Sequence, residues 1–206
     1  MLASRYKPLI ERFFQPMARV IARTGLSPSV ITLAVPLLAF VLSLWLVRTQ
    51  QILPFCIAMT GVGCLDGLDG AVARASGRVS RFGAYLDALC DRYVETIVVC
   101  AVAYVTDTWF LSLLNLSGAY LFSYAKARAA MEVAVSNTEW PDLMERTERG
   151  VLFMGGLAAR ELIAWRIAGR DLFWWTLALL ACLTHLSVVQ RILRARRFIQ
   201  QRSAVL

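Results

Sequence analysis

The sequence predicts an all-α integral membrane protein with six transmembrane helices that follow an amphipathic interfacial helix. Composition, long apolar segments and the distribution of cations predict this fold class. Hydrophobic residues make up 58% of the 206 residues, and the mean hydropathy is +0.58, which is too apolar for a soluble domain that must cover its core with polar surface. We therefore expect a single membrane domain over 1–206, with an interfacial helix over 1–25 and a six-helix bundle over 26–206.

The first 25 residues alternate cations with apolar residues and contain no continuous apolar stretch. At about 100° per residue, four cations fall in one narrow stripe while the apolar residues occupy a broad neighbouring face. These cations are Arg5, Arg12, Arg19 and Arg23. The pattern is typical of a helix that lies in the plane of the membrane interface, and Pro16 is expected to kink it or split it in two.

Six later segments reach the length of about 20 residues that a helix needs to cross the hydrocarbon core. They cover about 29–47, 52–73, 83–105, 109–131, 149–167 and 172–193. Most cations precede the first span, follow the last, or lie in the loops after the second and fourth spans, whereas the opposite loops contain only Arg48, Arg166 and Arg170. The positive-inside rule therefore predicts a multi-pass protein of the cell (inner) membrane with both termini in the cytoplasm.

The formal net charge of +8 arises from 22 Lys plus Arg against 14 Asp plus Glu, and all but two of the cations are Arg. Arg suits bidentate contact with phosphate, so anionic membrane lipids are expected partners. Nucleic acid is not expected, because the cations alternate with apolar spans instead of forming one soluble basic face. The single histidine, His185, lies in an apolar run and is interpreted as a hydrogen-bonded core or headgroup-level side chain.

Four carboxylates lie inside the second and third spans, where each charge costs at least about 2.5 kcal/mol. Asp66 and Asp69 are three residues apart on one helix, and Asp87 and Asp91 are four apart on the next, so each pair lies on one helix face. The short loop over 74–82 folds the two helices into an antiparallel pair. At 1.5 Å per residue, all four carboxylates fall in the inner leaflet, so we expect them to converge.

Four convergent carboxylates repel one another unless divalent cations neutralise them. Oxygen ligands without Cys or His favour Mg²⁺ or Mn²⁺ over zinc, and two ions are expected. Together with the phosphate-binding charge of Arg74, which has Arg78 and Arg81 nearby, the pattern indicates a metal-bound pyrophosphate. The alternative is that the acids form salt bridges with Arg74 and Arg92 that hold the fold. Glu95, one turn beyond Asp91, is expected to pair with Arg92 in this structural way.

The stretch from Asp66 to Asp91 reads DGLDGAVARASGRVSRFGAYLDALCD. It contains every fixed position of the signature D-x-x-D-G-x-x-A-R-x8-G-x3-D-x3-D, and the chain resembles the CDP-alcohol phosphotransferase family over essentially its whole length. The resemblance implies an enzyme that moves a phosphoalkyl group from a CDP-linked lipid to a hydroxyl of a polar acceptor and releases CMP. It also implies a homodimer, and it leaves CDP-diacylglycerol and CDP-archaeol open as donors.

The resemblance also implies roles for individual residues. Asp66, Asp69 and Asp87 bind the metal ions, and Asp91 both contributes to the metal site and acts as the general base. The residues expected to contact the CDP-lipid are Ser29, Val30, Ile31, Thr32, Asp66, Gly70, Arg74 and Ser80. The first four belong to Pro28-Ser29-Val30-Ile31-Thr32, which is similar to the family's P-N-x-x-T element but has Ser in place of Asn.

Three further segments resemble the branch of the family that uses inositol phosphate as the acceptor, namely 124–129, 145–149 and 188–194. Each lies at a predicted cytoplasmic helix end, where cations would form a pocket for a phosphorylated acceptor. The candidate residues are Lys126, Arg146, Arg149, Arg191 and Arg194.

Several alternatives remain open from the sequence. The same cations would serve equally well as ordinary positive-inside residues in contact with anionic lipid, and glycerol 3-phosphate would be an acceptor for the same chemistry. Intramembrane acids also occur in ion-coupled transporters. Arg160 lies within the fifth predicted span beside Glu161 and is expected to form a structural ion pair there.

Overall fold

The structure, a computed structural model, describes residues 15–132, 144 and 146–203. Within these residues the chain forms seven helices and one short β-hairpin. Contacts divide the chain into two compact units, one that ends at Trp109 and one that begins at Phe110. We call them the amino-terminal and the carboxy-terminal unit; the single domain expected over 1–206 stays a prediction.

The amino-terminal unit contains the four helices that carry the aspartate signature and its surroundings. They are α1 (15–23), α2 (Pro28–Thr49), α3 (Ile52–Ala75) and α4 (Arg81–Thr106). From Phe110 onward, the carboxy-terminal unit contains the remaining elements: α5 (Trp109–Glu132), α6 (Arg146–Leu162), β1 (Arg166–Ile167), β2 (Arg170–Asp171) and α7 (Leu172–Ser203).

Three described helices are long and apolar enough to cross a membrane, namely α2, α3 and, in α7, the stretch Leu172–Gln200. The helices of the described residues confirm the all-helical class, apart from the short hairpin that the sequence pattern did not predict. Six transmembrane helices stay a prediction, because α4 contains several charged residues and α6 has only 17 residues.

Helix α2 is the common neighbour of the two aspartate-bearing helices, since it packs against both α3 and α4. It follows Ser27, which has an extended backbone, and has Pro28 in its first turn, where the fixed φ of proline and its missing N–H are tolerated. One turn further on, the Thr32 hydroxyl oxygen lies 3.1 Å from the Pro28 carbonyl oxygen. The element from Pro28 to Thr32 therefore forms the first turn of α2.

Helix α1 packs against α3 through a small apolar cluster. Ala18 is only 1% exposed and contacts Leu68 and Val72, with Ile31 of α2 at the edge of the cluster. The predicted interfacial helix extended over 1–25; its residues 1–14, with Arg5 and Arg12, lie outside the described residues. Residues 15–23 are helical, Pro16 included.

A tight turn joins α3 to α4 and returns the chain toward the first pair of aspartates. Gly77 has a φ of +67°, a left-handed conformation that glycine adopts without strain and that commonly ends helices. The Arg78 backbone N–H donates to the Ala73 carbonyl oxygen at 2.9 Å. Helix α4 then begins at an N-cap, in which the Ser80 hydroxyl accepts a hydrogen bond from the Gly83 backbone N–H at 2.9 Å.

In the carboxy-terminal unit, polar side chains connect α5 to α7. The Asn115 side-chain amide donates to the Leu177 carbonyl oxygen at 2.9 Å. His185 Nε2 lies 3.1 Å from the Leu114 carbonyl oxygen. The interpretation of His185 as a hydrogen-bonded packing residue is thereby confirmed.

Helix α6 packs closely against α7. A Cβ added at Gly156 would lie 2.5 Å from the Thr176 side chain, so only glycine fits this approach. One turn earlier, the rings of Phe153 and Phe173 meet edge to face with centroids 5.4 Å apart, a favourable aromatic arrangement.

The fifth predicted span is corrected at its carboxyl end, because α6 ends at Leu162 and not near 167. The chain there turns through Ala168 and Gly169, which both have positive φ, as two-residue hairpin turns require. This hairpin returns Asp171 to α6, so Arg160 Nε pairs with an Asp171 carboxylate oxygen at 3.0 Å. The predicted ion pair of Arg160 is therefore present, but its partner is not Glu161.

Candidate metal and nucleotide site

Three of the four predicted metal ligands meet in the amino-terminal unit. Carboxylate oxygens of Asp66, from α3, and of Asp87 and Asp91, from α4, all lie within 4.8 Å of one another. Each of the three side chains is half-buried. The convergence expected from helical spacing is therefore observed for these residues, and we call them the carboxylate group.

Asp69 lies outside this group although it is one turn from Asp66. It is only 7% exposed, and its Oδ2 accepts a hydrogen bond from the Thr32 hydroxyl at 2.6 Å. Such short bonds to an ionised acceptor are stronger than neutral ones. The sequence did not predict this contact, which joins the predicted nucleotide segment of α2 to a predicted metal ligand of α3.

A cavity of about 430 Å³ adjoins these residues, and we call it the signature cavity. Asp87 lines it and also belongs to the carboxylate group, so the cavity and the group are continuous. The residues of the predicted nucleotide and metal sets that line it are Ser29, Thr32, Asp69, Gly70, Arg74, Ser80 and Asp87. Val30, which is 52% exposed, and Ile31, which packs in the Ala18 cluster, do not line it.

Two glycines of the signature leave room for polar side chains at this cavity. A Cβ at Gly83 would lie 3.1 Å from the Ser80 hydroxyl oxygen, and one at Gly70 would lie 3.4 Å from Arg74 Nη1. Substituting Gly83 would therefore press on the Ser80 hydroxyl, while a Cβ at Gly70 would reach ordinary contact with the Arg74 guanidinium.

The cavity also includes residues to which the sequence assigned no nucleotide contact. Ser27 and Arg78 are among its lining residues, and Arg78 Nη1 donates to the Gly25 carbonyl oxygen at 3.2 Å. This hydrogen bond joins the turn after α3 to the turn before α2. The sequence indicated Arg78 only as a cation near Arg74 that contributes phosphate-binding charge.

The predicted structural role of Glu95 is confirmed. Arg92 Nη1 lies 2.6 Å from Glu95 Oε2, one turn apart on α4. Both side chains are about one fifth exposed (20% each). Glu95 is therefore engaged beside the carboxylate group and is not one of its members.

The five candidate acceptor cations all lie in the carboxy-terminal unit, and they differ in burial. Arg149 and Arg191 are buried, at 7% and 4% exposed. Both guanidinium groups lie over the Phe122 ring, where a cation is attracted to the π face. Arg149 also donates to the Met144 carbonyl oxygen at 3.3 Å, and Arg191 donates to the Phe122 carbonyl oxygen.

The other three candidates, Lys126, Arg146 and Arg194, are half-buried. Glu145, the first residue of the 145–149 segment, lies outside the described residues. The structure thus brings Arg149 and Arg191 together at one ring of α5. The other three cations are partly exposed: Lys126 near the end of α5, Arg146 at the start of α6 and Arg194 within α7.

A sequence model of the family described as CDP-alcohol phosphatidyltransferase matches residues 26–182. The chain belongs to this family. The match includes the whole aspartate signature and most of the described helices, and it confirms the enzyme class, which leaves the ion-coupled transporter without support. With three apolar helices long enough to span, this member of the CDP-alcohol phosphatidyltransferase family is a membrane protein.

Relatives within the family agree with this assignment. The archaetidylinositol phosphate synthase of Pyrococcus horikoshii is 32% identical over 152 residues, which cover 73% of this chain and 79% of the relative. The phosphatidylinositol phosphate synthase of Mycolicibacterium smegmatis is 30% identical over 189 residues, which cover 86% of this chain and 82% of the relative.

Solved structures of another family member have the same fold. The phosphatidylinositol phosphate synthase of Mycobacterium tuberculosis, crystallised with CDP-DAG bound, is 28% identical and superposes with a TM-score of 0.76, covering 89% of this chain and 94% of that chain. A second structure of that enzyme, in complex with manganese and citrate, is 26% identical with a TM-score of 0.77 and covers 88% of each chain.

Proposed function

We propose that this chain transfers a phosphatidyl-type group from a CDP-linked lipid to a hydroxyl of inositol phosphate and releases CMP, as a step of phospholipid biosynthesis. The observation that carries the proposal is the carboxylate group, which is continuous with a cavity lined by residues of the family signature. The proposed acceptor is inferred from the relatives, which are named as synthases of inositol phosphate lipids.

The donor atoms of the carboxylate group fit a divalent metal. The group offers three carboxylate oxygens within 4.8 Å and contains neither Cys nor His, a ligand set that suits Mg²⁺ or Mn²⁺. We propose that Asp66, Asp87 and Asp91, with Asp69 beside them, hold two such ions. A bound metal supplies positive charge that neutralises the pyrophosphate and makes CMP a better leaving group.

The remaining residues of the site bind and orient the donor. Arg74 and Arg78 provide guanidinium donors for phosphate oxygens, for which Arg is well suited. Ser29, Thr32 and Ser80 provide hydroxyls around the nucleotide. In this proposal Val30 and Ile31 act by shaping the first turn of α2, because their side chains do not line the cavity.

Asp91 is proposed as the general base. Its carboxylate accepts the proton of the attacking hydroxyl, which then forms the new P–O bond while the bond to CMP breaks. A positioned base of this kind contributes about 10²- to 10⁴-fold to the rate. Its half-buried carboxylate lies with those of Asp66 and Asp87 in the carboxylate group, which places the proposed base beside the proposed metal ions.

Lys126, Arg146, Arg149, Arg191 and Arg194 are proposed to bind the phosphate of the acceptor. Their burial suggests a division of roles: Arg149 and Arg191 hold Phe122 and the surrounding backbone, while the half-buried Lys126, Arg146 and Arg194 offer charge to the ligand. A phosphorylated acceptor needs such cations because the donor already occupies the metals and Arg74.

We further propose that the chain is a homodimer with six transmembrane helices, an interfacial α1, and termini and active site on the cytoplasmic side. The distribution of cations supports this orientation. The tryptophans near the hairpin, Trp165 and Trp175, are 54% and 40% exposed, as is typical of side chains at either membrane–water interface.

The decisive experiment measures CMP release by the purified chain with CDP-diacylglycerol or CDP-archaeol, Mg²⁺ or Mn²⁺, and a panel of acceptors. We expect turnover with inositol phosphate that chelation abolishes. Turnover with glycerol 3-phosphate or serine and none with inositol phosphate would reject the acceptor assignment. A lack of metal-dependent CMP release with every acceptor would reject the transferase.

The acceptor cations are tested by Arg146→Gln and Arg194→Gln, with Arg196→Gln, exposed on the same helix α7, as the matched control. Loss of a hydrogen bond to a charged group costs about 1.5 to 3 kcal/mol, so each variant should raise the acceptor KM roughly ten- to hundredfold. The donor KM should barely move. An unchanged acceptor KM in both variants would show that these arginines contact lipid or set the topology and do not bind the acceptor.

A further inference from the structure

A basic recess lies where α1 meets the end of α3. Two cavities of about 500 and 310 Å³ adjoin there and share Arg19 and Ala75 in their linings. We call them together the α1 recess. Its lining residues are Gln15, Arg19, Ala22, Arg23, Ala71, Arg74, Ala75, Ser76 and Arg78.

Packing brings the cations of this recess close together. Ala18, buried against Leu68 and Val72, seats α1 on α3, and Arg19 and Arg23 follow at a spacing of four residues on that helix. Like charges four residues apart on a helix repel each other. Arg78 joins them from the turn after α3, and its hydrogen bond to the Gly25 carbonyl oxygen ties that turn to the end of α1.

No carboxylate is found among the described residues that line either cavity. The fold therefore holds four guanidinium groups around an open space, with no acidic side chain to offset them among the described lining residues; they belong to Arg19, Arg23, Arg74 and Arg78. Arg recognises phosphate oxygens in a bidentate manner. A phosphate-containing anion is the ligand that this charge and geometry favour.

The surroundings favour a lipid over a free nucleotide. Among the described lining residues there is no aromatic ring on which a base could stack; apart from the arginines, these residues are Ala, Ser and Gln. The neighbouring residues Met17 and Val20 of α1 are apolar and exposed, at 47% and 63%, as expected of a helix that lies at the membrane interface. A headgroup phosphate in the recess would thus lie beside apolar surface for its acyl chains.

We propose that the α1 recess is a binding site for the headgroup phosphate of an anionic membrane phospholipid, separate from the signature cavity that takes the CDP-linked donor. Arg74 and Arg78 line both the recess and the signature cavity. An occupied recess therefore holds in place these cations of the donor site and stabilises the packing of α1 on α3.

The test measures the Tm of the purified full chain in neutral detergent, without CDP-lipid or acceptor, so it is independent of turnover. The additives are short-chain phosphatidylglycerol, short-chain phosphatidylcholine and inorganic phosphate. Phosphatidylglycerol should raise the Tm by about 5 °C near saturation, while phosphatidylcholine and inorganic phosphate should raise it by less than a quarter of that.

The variant Arg19→Gln/Arg23→Gln should lose most of the shift. The control Arg48→Gln, exposed at the opposite end of α2, should keep it. If the double variant does not fold, Arg23→Gln alone, which leaves the Ala18 contact intact, should lose at least half of the shift. If the recess variants keep the full Tm shift with phosphatidylglycerol, the proposed site is rejected. Equal shifts with inorganic phosphate and phosphatidylglycerol overturn its assignment to a lipid.

Discussion

At the scale of single residues, Asp87 belongs to both parts of the candidate site. It shares the carboxylate group with Asp66 and Asp91 and lines the signature cavity beside Asp69. In the proposed mechanism, metal and donor therefore meet at this carboxylate. Because such residues act as a unit, the losses caused by single substitutions are not expected to add.

Asn substitutions separate the proposed base from the ligands. Asp66→Asn and Asp91→Asn should both nearly abolish CMP release, to below about a tenth of the wild-type rate, given the contribution of a positioned base or metal ligand. If Asp91 chiefly takes the proton, Asp91→Asn should retain more CDP-lipid binding than Asp66→Asn does. Titration of CDP-lipid into both variants measures this, and equal loss would make Asp91 primarily a ligand.

The hydrogen bond between Thr32 and Asp69 gives a second prediction. Thr32→Val removes the hydroxyl and leaves a buried carboxylate without that donor, which costs about 1.5 to 3 kcal/mol. A cost of this size should weaken the apparent affinity for metal or CDP-lipid by about ten- to hundredfold. Thr32→Ser keeps a hydroxyl and should recover most of the affinity. If Val and Ser variants behave alike, the hydroxyl is not what orients Asp69.

At the scale of elements, the packing of α6 on α7 depends on a close approach that one glycine permits. Gly156 faces Thr176 at a distance that excludes any Cβ, whereas its neighbour Gly155 faces open space. The two adjacent glycines therefore form a matched pair for a stability test.

Gly156→Ala should lower the Tm of the purified chain by several degrees, because forcing extra atoms into a packed contact costs about 1 to 3 kcal/mol. Gly155→Ala should leave the Tm unchanged or raise it slightly, because Ala is a better helix former than Gly. Thermal unfolding in detergent measures both. A destabilised Gly155 variant with an unaffected Gly156 variant would contradict the observed contact.

At the scale of the whole molecule, the proposed membrane orientation rests on the distribution of cations. The hairpin at Arg166–Asp171 carries two cations, and the Trp175 indole N–H donates to the Ile167 carbonyl oxygen at 3.2 Å. The proposed topology assigns this hairpin to the side opposite the termini.

Reporter fusions test this orientation. Green fluorescent protein fused after Leu206 should fluoresce, because it folds on the cytoplasmic side, and alkaline phosphatase inserted at Gly169 should be active, because it matures only outside. The reverse pattern of signals would contradict both the orientation and the cytoplasmic active site.

Much of this fold was predictable because helices follow from local pattern. The second and fourth spans, predicted at about 52–73 and 109–131, are observed as Ile52–Ala75 and Trp109–Glu132. The fifth was extended too far, since the apolar run through Trp165 hid a hairpin that depends on two residues with positive φ, one of them the non-glycine Ala168. Apolar composition alone does not distinguish a helix end from such a turn.

The sequence by itself determined the chemistry of the site. Fixed spacing on a helix determines which side chains share a face, so the four aspartates were recognisable before any contact was known, although Asp69 lies outside the carboxylate group. Only the tertiary structure decided the contacts between distant segments: Thr32 with Asp69, Arg160 with Asp171, and α1 with the end of α3. These depend on how helices pack, and helical periodicity specifies a face without specifying which neighbour covers it.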